Sequence, residues 1–406
     1  MAEQLRLLQL IPTSRRRMSG KMSIGLGTEG LNSPNLSFGQ KLLALNWFLV
    51  LLVSLIAGAG MAMLYSAANG SWEPWAIRHG VRFAVGLAVM LTIAMIDIRH
   101  WMRLAYFGYA GALVLLIAVE VMGEIGMGAQ RWINLGFFQL QPSEVMKIAL
   151  VLALARYFHS YTYEDVGNPL ALVVPLLMVF IPAGLVLRQP DLGTAVMIVA
   201  GSGAIFFLAG VRAWKFTAVI VSGLAAIPIA WQFLRTYQKN RILTFLDPGS
   251  DPLGSGYHIL QSKIALGSGG LLGKGFLLGS QSHLNFLPEK QTDFVFTMLA
   301  EEFGMVGALV LLGLFVLVIG YGFMIAVKTR TQFGRLVALG VTTTLFLYLF
   351  INVAMVMGLV PVVGVPLPLI SYGGTAMLTI MTGLGLLLSV SIHREVWIGR
   401  NGLGED

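Results

Sequence analysis

The sequence predicts an all-α fold: a polytopic integral membrane protein with about ten transmembrane helices and one long extracytoplasmic loop. Three observations carry that expectation. Of the 406 residues, 56% are hydrophobic and 11% are charged, against roughly 25% charged in a soluble domain. The apolar residues gather in ten blocks, most of them near the ~20 residues that span a hydrocarbon core. Lysine and arginine concentrate in alternate connections. This composition excludes a soluble globular enzyme, a disordered chain and a fibrous repeat. The absence of cysteine excludes disulfides, Fe–S clusters and Cys-ligated zinc.

The segment 1–43 is polar and rich in Gly, Ser and Asn, with Arg15, Arg16 and Arg17 in a row. Its apolar stretch, Leu5 to Ile11, precedes the basic run and is too short for a secretory signal. It is expected to be a poorly ordered cytoplasmic tail, with an amphipathic surface anchor as the lesser alternative. The membrane domain then occupies 44–395, with apolar blocks at 44–66, 79–97, 102–122, 144–159, 169–188, 192–210, 214–233, 294–327, 336–358 and 371–392. Lipid offers no partner to free backbone groups, so each block should be helical. The eighth block is longer than a span needs and should tilt or bend.

The connection at about 234–293 is Gly-, Ser- and Pro-rich but keeps apolar residues such as Ile259 and Leu271. It should pack on the outer membrane face, since loops of that length are usually functional. Residues 396–406 form a short C-terminal tail. With the N-terminus inside, 16 of the 27 Lys and Arg residues fall in cytoplasmic segments. Both termini are therefore expected in the cytoplasm.

Ionisable residues near membrane depth usually face a cavity or a partner. Glu144 and Lys147 are spaced i, i+3 at the start of the fourth block, on one helix face, and can pair. They make either a helix-start ion pair or the charged wall of an outward cavity. In Arg188-Gln189-Pro190-Asp191, Pro190 stops one helix and Asp191 can cap the next. Arg188 at the surface can attract a lipid phosphate. Asp293 stands where the long loop re-enters lipid, either as a plain N-cap or as a reactive carboxylate. A helix N-terminus would hold it ionised, with Glu289 and Lys290 near enough to tune it. The stretch Pro361–Gly374 holds three prolines and three glycines and no charge. It cannot form a continuous helix, must break or re-enter, and offers the hydroxyls of Ser371 and Tyr372.

The six histidines are scattered without metal-ligand spacing, and no P-loop is present. The Gly267–Gly275 region could bend to cradle a pyrophosphate, a weak signal by itself. Basic clusters lack interleaved aromatics, so nucleic acid is not an expected partner.

The motifs together resemble a known family. They are Gln130-Arg131-Trp132-Ile133-Asn134 with Gln141-Pro142-Ser143-Glu144, Gln189-Pro190-Asp191-Leu192-Gly193-Thr194, Asp251-Pro252-Leu253-Gly254-Ser255-Gly256-Tyr257-His258, Gly267-Ser268-Gly269-Gly270, Thr292-Asp293-Phe294 and Pro366-Leu367-Pro368-Leu369-Ile370-Ser371-Tyr372-Gly373-Gly374. Over roughly 45–395 the chain resembles the SEDS family (shape, elongation, division and sporulation). It looks closer to the elongation branch, typified by RodA, than to divisional FtsW. One departure is Gln291, at a position that is often His in relatives.

The resemblance implies a peptidoglycan glycosyltransferase of the bacterial inner membrane. Such proteins polymerise lipid II on the outer face together with a class B penicillin-binding protein. The family's essential aspartate corresponds to Asp293, which would act as general base on the acceptor sugar hydroxyl in an inverting transfer. Lys147, Arg188, Arg241, Lys263 and Lys290 are the candidate cations for the lipid pyrophosphate, with Glu144, Asp191, Glu289 and Ser371 as further cavity residues. Glu144 or Asp191 could hold a divalent cation, Mg or Mn, although the sequence shows no dedicated cage. A lipid II flippase or another transporter of a lipid-linked substrate is the competing class, and a non-enzymatic scaffold is a third. The conspicuous polar motifs all map to the outer side, which favours one-sided chemistry over transport.

Overall fold

The computed structural model describes residues 37–399, apart from 127, 128, 135, 137, 138, 163–165, 234, 235, 248, 250–254, 285, 288 and 397. The expected N-terminal tail lies largely outside the described residues, as does most of the C-terminal tail.

The chain is an all-α polytopic membrane protein. A short α1 (Phe38–Ala44) leads into α2 (Trp47–Ala67), α3 (Ala76–Met95) and α4 (Ile98–Met122). These are followed by α5 (Pro142–His159), α6 (Val173–Arg188), α7 (Leu192–Leu208) and α8 (Ala213–Phe233). After the long connection come α12 (Val295–Lys328), α13 (Gln332–Val356) and α14 (Gly374–Ile392). Seven helical spans have the length and apolarity to cross a membrane, counting α6 with the turn before it. The helices α7 and α8 are shorter apolar helices, and α5 completes the ten expected blocks.

Local chemistry sets the helix starts. Asn46 Oδ1 accepts the Leu49 amide at 3.1 Å, Asp97 accepts that of Arg99 at 2.8 Å, and Thr331 accepts that of Gly334 at 3.2 Å. Pro142 takes the first turn of α5, where a missing N–H costs nothing.

The interior is formed by α5, buried along nearly its whole length, with α13 and α14, of whose most apolar windows 61% and 83% are buried, against 22% for α4 and for α12. The outer helices instead expose apolar side chains, such as Phe107 and Val121, as lipid-facing surfaces should. One small antiparallel sheet interrupts the helical pattern: β1 (Glu124–Gly126), β2 (Ala129–Asn134) and β3 (Gln139–Leu140), with Ile133 opposite Leu140. Its local consequence is the position of Arg131.

The eighth block does bend. At Gly304 the backbone turns to φ 66°, ψ −164°, a region essentially restricted to glycine. The lost helical bonds are replaced by the loop. Lys274 and Gly275 amides donate to the Glu301 and Glu302 carbonyls at 3.0 Å, and the Met305 amide donates to Gly270 at 2.9 Å. The long connection is also less loop-like than its composition suggests, because it contains α9 (Thr236–Leu246), α10 (Ser255–Ser268) and the single turn α11 (Ser280–His283). The glycines at 269 and 273 lie against the backbone of residues 300–304, leaving no room for a Cβ. At these two positions glycine serves close approach to α12.

Two fully buried carboxylates at the start of α12 strap this connection down. Glu301 Oε1 accepts Lys274 Nζ at 2.7 Å and the Gln281 amide at 2.9 Å. Glu302 accepts the Ser66 hydroxyl and faces His283 Nε2 at 3.3 Å.

Candidate active site

The segment between α13 and α14 is non-helical from 361 to 373 and threads back among the helices, as its prolines and glycines require. Each part of it is held. The Leu369 carbonyl meets His79 Nε2 at 3.1 Å, and Gly60 lets the Leu369–Ile370 backbone lie directly on α2. The Ser371 hydroxyl donates to the Thr292 carbonyl at 2.5 Å and accepts the Leu367 amide at 2.8 Å. The Tyr372 amide donates to the Gln291 carbonyl at 2.8 Å. Leu369 and Glu289, at φ 65° and 54°, are non-glycine residues in the left-handed region, a costly conformation that tends to occur at functional sites.

Asp293 sits in the turn between the long connection and α12. The N-cap position of that helix is Phe294, without a side-chain cap, so the plain N-cap reading does not describe Asp293. Asn352 Nδ2 donates to the Asp293 backbone carbonyl at 2.9 Å and to the Val365 carbonyl at 2.7 Å. Gly364 faces the Asp293 carboxylate: a Cβ there would stand 3.5 Å from Oδ2. Just before it, Glu289 Oε2 accepts the Thr292 hydroxyl at 2.8 Å, and Lys290 is buried, which lowers its pKa from the ordinary 10.5.

Glu144 and Lys147 pair at 2.7 Å, with both side chains 4% exposed. Tyr348 of α13, fully buried, donates to Glu144 Oε2 and accepts from Lys147 Nζ, closing a three-member ring. Asp191 caps α7, accepting the Thr194 amide at 3.1 Å and its hydroxyl at 2.9 Å. Gln141 Nε2 reaches the same carboxylate at 3.2 Å and Arg131 Nε stands 3.9 Å away. Glu144 and Asp191 are thus both engaged by donors, and among the described residues no three His, Asp or Glu side chains converge to hold a metal. The two regions meet through the re-entrant segment: a Cβ on Gly193 would come within 2.7 Å of the Val363 carbonyl, one residue from Gly364.

A family model described as cell cycle protein, covering FtsW, RodA and SpoVE, matches residues 40–396. The chain belongs to this family. It is 47% identical over 319 residues to the peptidoglycan glycosyltransferase MrdB of Escherichia coli K12, covering 78% of this chain and 85% of that one. It is 36% identical over 363 residues to the probable peptidoglycan glycosyltransferase FtsW of Coxiella burnetii, covering 86% and 96%. Among solved structures it is similar to the Thermus thermophilus rod shape determining protein RodA, with TM-score 0.66, 30% identity and coverage of 87% and 98%. It is also similar to a chain of a peptidoglycan synthase complex solved to describe its coordination of polymerization and crosslinking, with TM-score 0.77, 33% identity and coverage of 87% and 99%.

Within this FtsW/RodA/SpoVE fold, the residues expected from sequence divide. Asp293, Glu289, Lys290 and Ser371 come together around the turn before α12, and Glu144, Lys147 and Asp191 around the starts of α5 and α7. Lys263 is exposed on α10 beside Gly358, at the end of α13. Arg188 points away, with its side chain 74% exposed and 3.8 Å from Glu120. The Arg241 side chain lies outside the described residues.

Four contributors were not anticipated: Tyr348, Asn352, Arg131 and Arg82. The Arg82 guanidinium lies 4.3 Å from the centroid of the Tyr372 ring. Tyr348 and Asn352 did carry a signal, as two polar groups spaced i, i+4 in the otherwise apolar second half of α13, residues 345–356.

Proposed function

We propose that the protein is a peptidoglycan glycosyltransferase of the elongation type, which polymerises lipid II at the outer face of the bacterial inner membrane beside a class B penicillin-binding protein. The names of its relatives support the activity, and the peptidoglycan synthase complex among its structural neighbours supports a crosslinking partner. Both termini face the cytoplasm in this reading. Lys41, Arg156, Arg330 and Arg394 bond to groups at one end of the bundle, and the polar site sits at the other.

The observation that carries the mechanism is the bracing of Asp293 by its backbone. The Asn352 bond uses the peptide carbonyl, so the side chain is positioned without Asn352 consuming the carboxylate. The acceptor sugar hydroxyl has a pKa far above neutrality, and Asp293 takes its proton as it attacks the anomeric carbon of the donor. That assistance is worth typically 10²–10⁴-fold. Charge gathering on the departing lipid pyrophosphate is met by cations of the same face, Lys290, Lys263 and Lys147 among them. Ser371 holds the re-entrant wall against Thr292.

The test is purified protein with lipid II and the penicillin-binding partner. Glycan strands support the enzyme. Movement of lipid II across liposomes without polymer would favour the transporter instead.

A further inference from the structure

Tyr348 and Asn352 lie one turn apart on α13, a spacing that puts both on one helix face. Both are fully buried. Tyr348 bonds to the two members of the Glu144–Lys147 pair, and Asn352 joins the carbonyls of Asp293 and Val365. We propose that these two are positioning residues for the transfer reaction, with one face of α13 holding the Asp293 carboxylate in register with the buried cation of Lys147. The proposal rests on the glycosyltransferase reading above and assigns it two residues that contact no substrate.

The chemistry of the amide argues for this role over simple packing. Both neighbours of Asn352 Nδ2 are carbonyl oxygens, which only a donor can satisfy, so the orientation of the side chain is dictated. Its Oδ1 is left buried with no hydrogen-bond partner. A buried acceptor without a partner is unfavourable, and an apolar residue of similar size would avoid it. What the apolar residue could not do is join the turn before α12 to the re-entrant segment. Tyr348 is similar. Its ring would pack as phenylalanine does, while its hydroxyl satisfies both charges of a pair held out of water. The Lys147 ammonium also lies 4.2 Å from the centroid of that ring, which limits where the charge can go.

The isosteric substitutions Asn352→Asp and Tyr348→Phe separate positioning from packing. A carboxylate in place of the amide fills the same space but faces two carbonyls with no donor. Steady-state polymerisation of lipid II by the full-length protein with its partner is measured for each, at temperatures where the fold is intact. A misplacement of about 1 Å costs on the order of 100-fold in rate. Asn352→Asp should therefore lower kcat by roughly 100-fold and Tyr348→Phe by about tenfold, with the KM for lipid II unchanged in both.

Hydrogen exchange supplies a readout free of catalysis. In Asn352→Asp, amides of 290–294 and 361–370 should exchange faster while those of α4 do not. Wild-type kcat in Asn352→Asp, or a raised KM at unchanged kcat, overturns the proposal. Global unfolding of both Asn352→Asp and Asn352→Ser would assign the residue to stability alone and also overturn it. Failure of the glycosyltransferase reading is distinct, because there the wild-type protein itself would make no polymer.

Discussion

Replacing Lys147 by methionine tests whether the buried pair at the start of α5 serves the fold, the reaction or both. The substitution keeps the length of the side chain and removes its charge. Glu144 is 3% exposed and would lose the ammonium at 2.7 Å, keeping only the Tyr348 hydroxyl. Breaking a buried ion pair from one side costs about 3–5 kcal/mol, because the surviving charge is left uncompensated. Lys147→Met should fall in that range by thermal or denaturant unfolding in detergent.

The double variant Glu144→Gln/Lys147→Met removes both charges and leaves an amide that can still accept from Tyr348. It should regain most of the lost stability, since the two residues touch and their effects are strongly non-additive. Polymerisation separates the two roles. If Lys147 supplies charge to the lipid pyrophosphate, the double variant is stable and still slow with lipid II. Wild-type turnover in the stable double variant would refute the cavity role and reduce the pair to a structural element. Wild-type stability in Lys147→Met alone would refute the energetic reasoning.

Other outcomes follow from the same geometry. Gly304→Ala places a Cβ against the backbone of Leu271 and Gly273 at a φ of 66°, and should destabilise by at least ~2 kcal/mol, read as a lower unfolding temperature and faster proteolysis within 269–284. Glu301→Gln keeps the shape but removes the charge that holds Lys274; the same proteolysis should show a loosened connection with α12 intact. Because burial lowers the Lys290 pKa, the unfolded chain keeps that proton to higher pH than the folded one. Stability gains a contribution from this residue as pH rises toward 10.5, and Lys290→Met should remove that rise from a plot of unfolding temperature against pH.

Much of this architecture was readable because its signals are local. Apolar blocks announce spans, Glu144 and Lys147 declare their pairing by an i, i+3 spacing, and Asp191 caps the helix that follows it. The prolines and glycines of 361–374 forbid a continuous helix wherever they are placed. The contacts that sequence reading did not reach are long-range. Tyr348 lies 204 residues from Glu144 and Asn352 lies 59 from Asp293, so nothing near either partner in sequence points to the contact. At Gly269 and Gly273 the glycine permits backbone packing on α12, which looks the same in sequence as a glycine that permits ligand approach. Arg188 and Asp191 adjoin in sequence but a helix end places them on different faces: Arg188 stands at the surface, 3.8 Å from Glu120, while Asp191 is buried.

The role of Asp293 as base is tested most sharply by its isosteric amide. Asp293→Asn preserves the peptide carbonyl that Asn352 holds, so the turn before α12 and the re-entrant segment should stay in place. With the purified protein, its penicillin-binding partner and lipid II, folding and partner binding should be unchanged while glycan polymerisation falls by 10²-fold or more. Glycan strands formed by the variant at the wild-type rate would contradict that role.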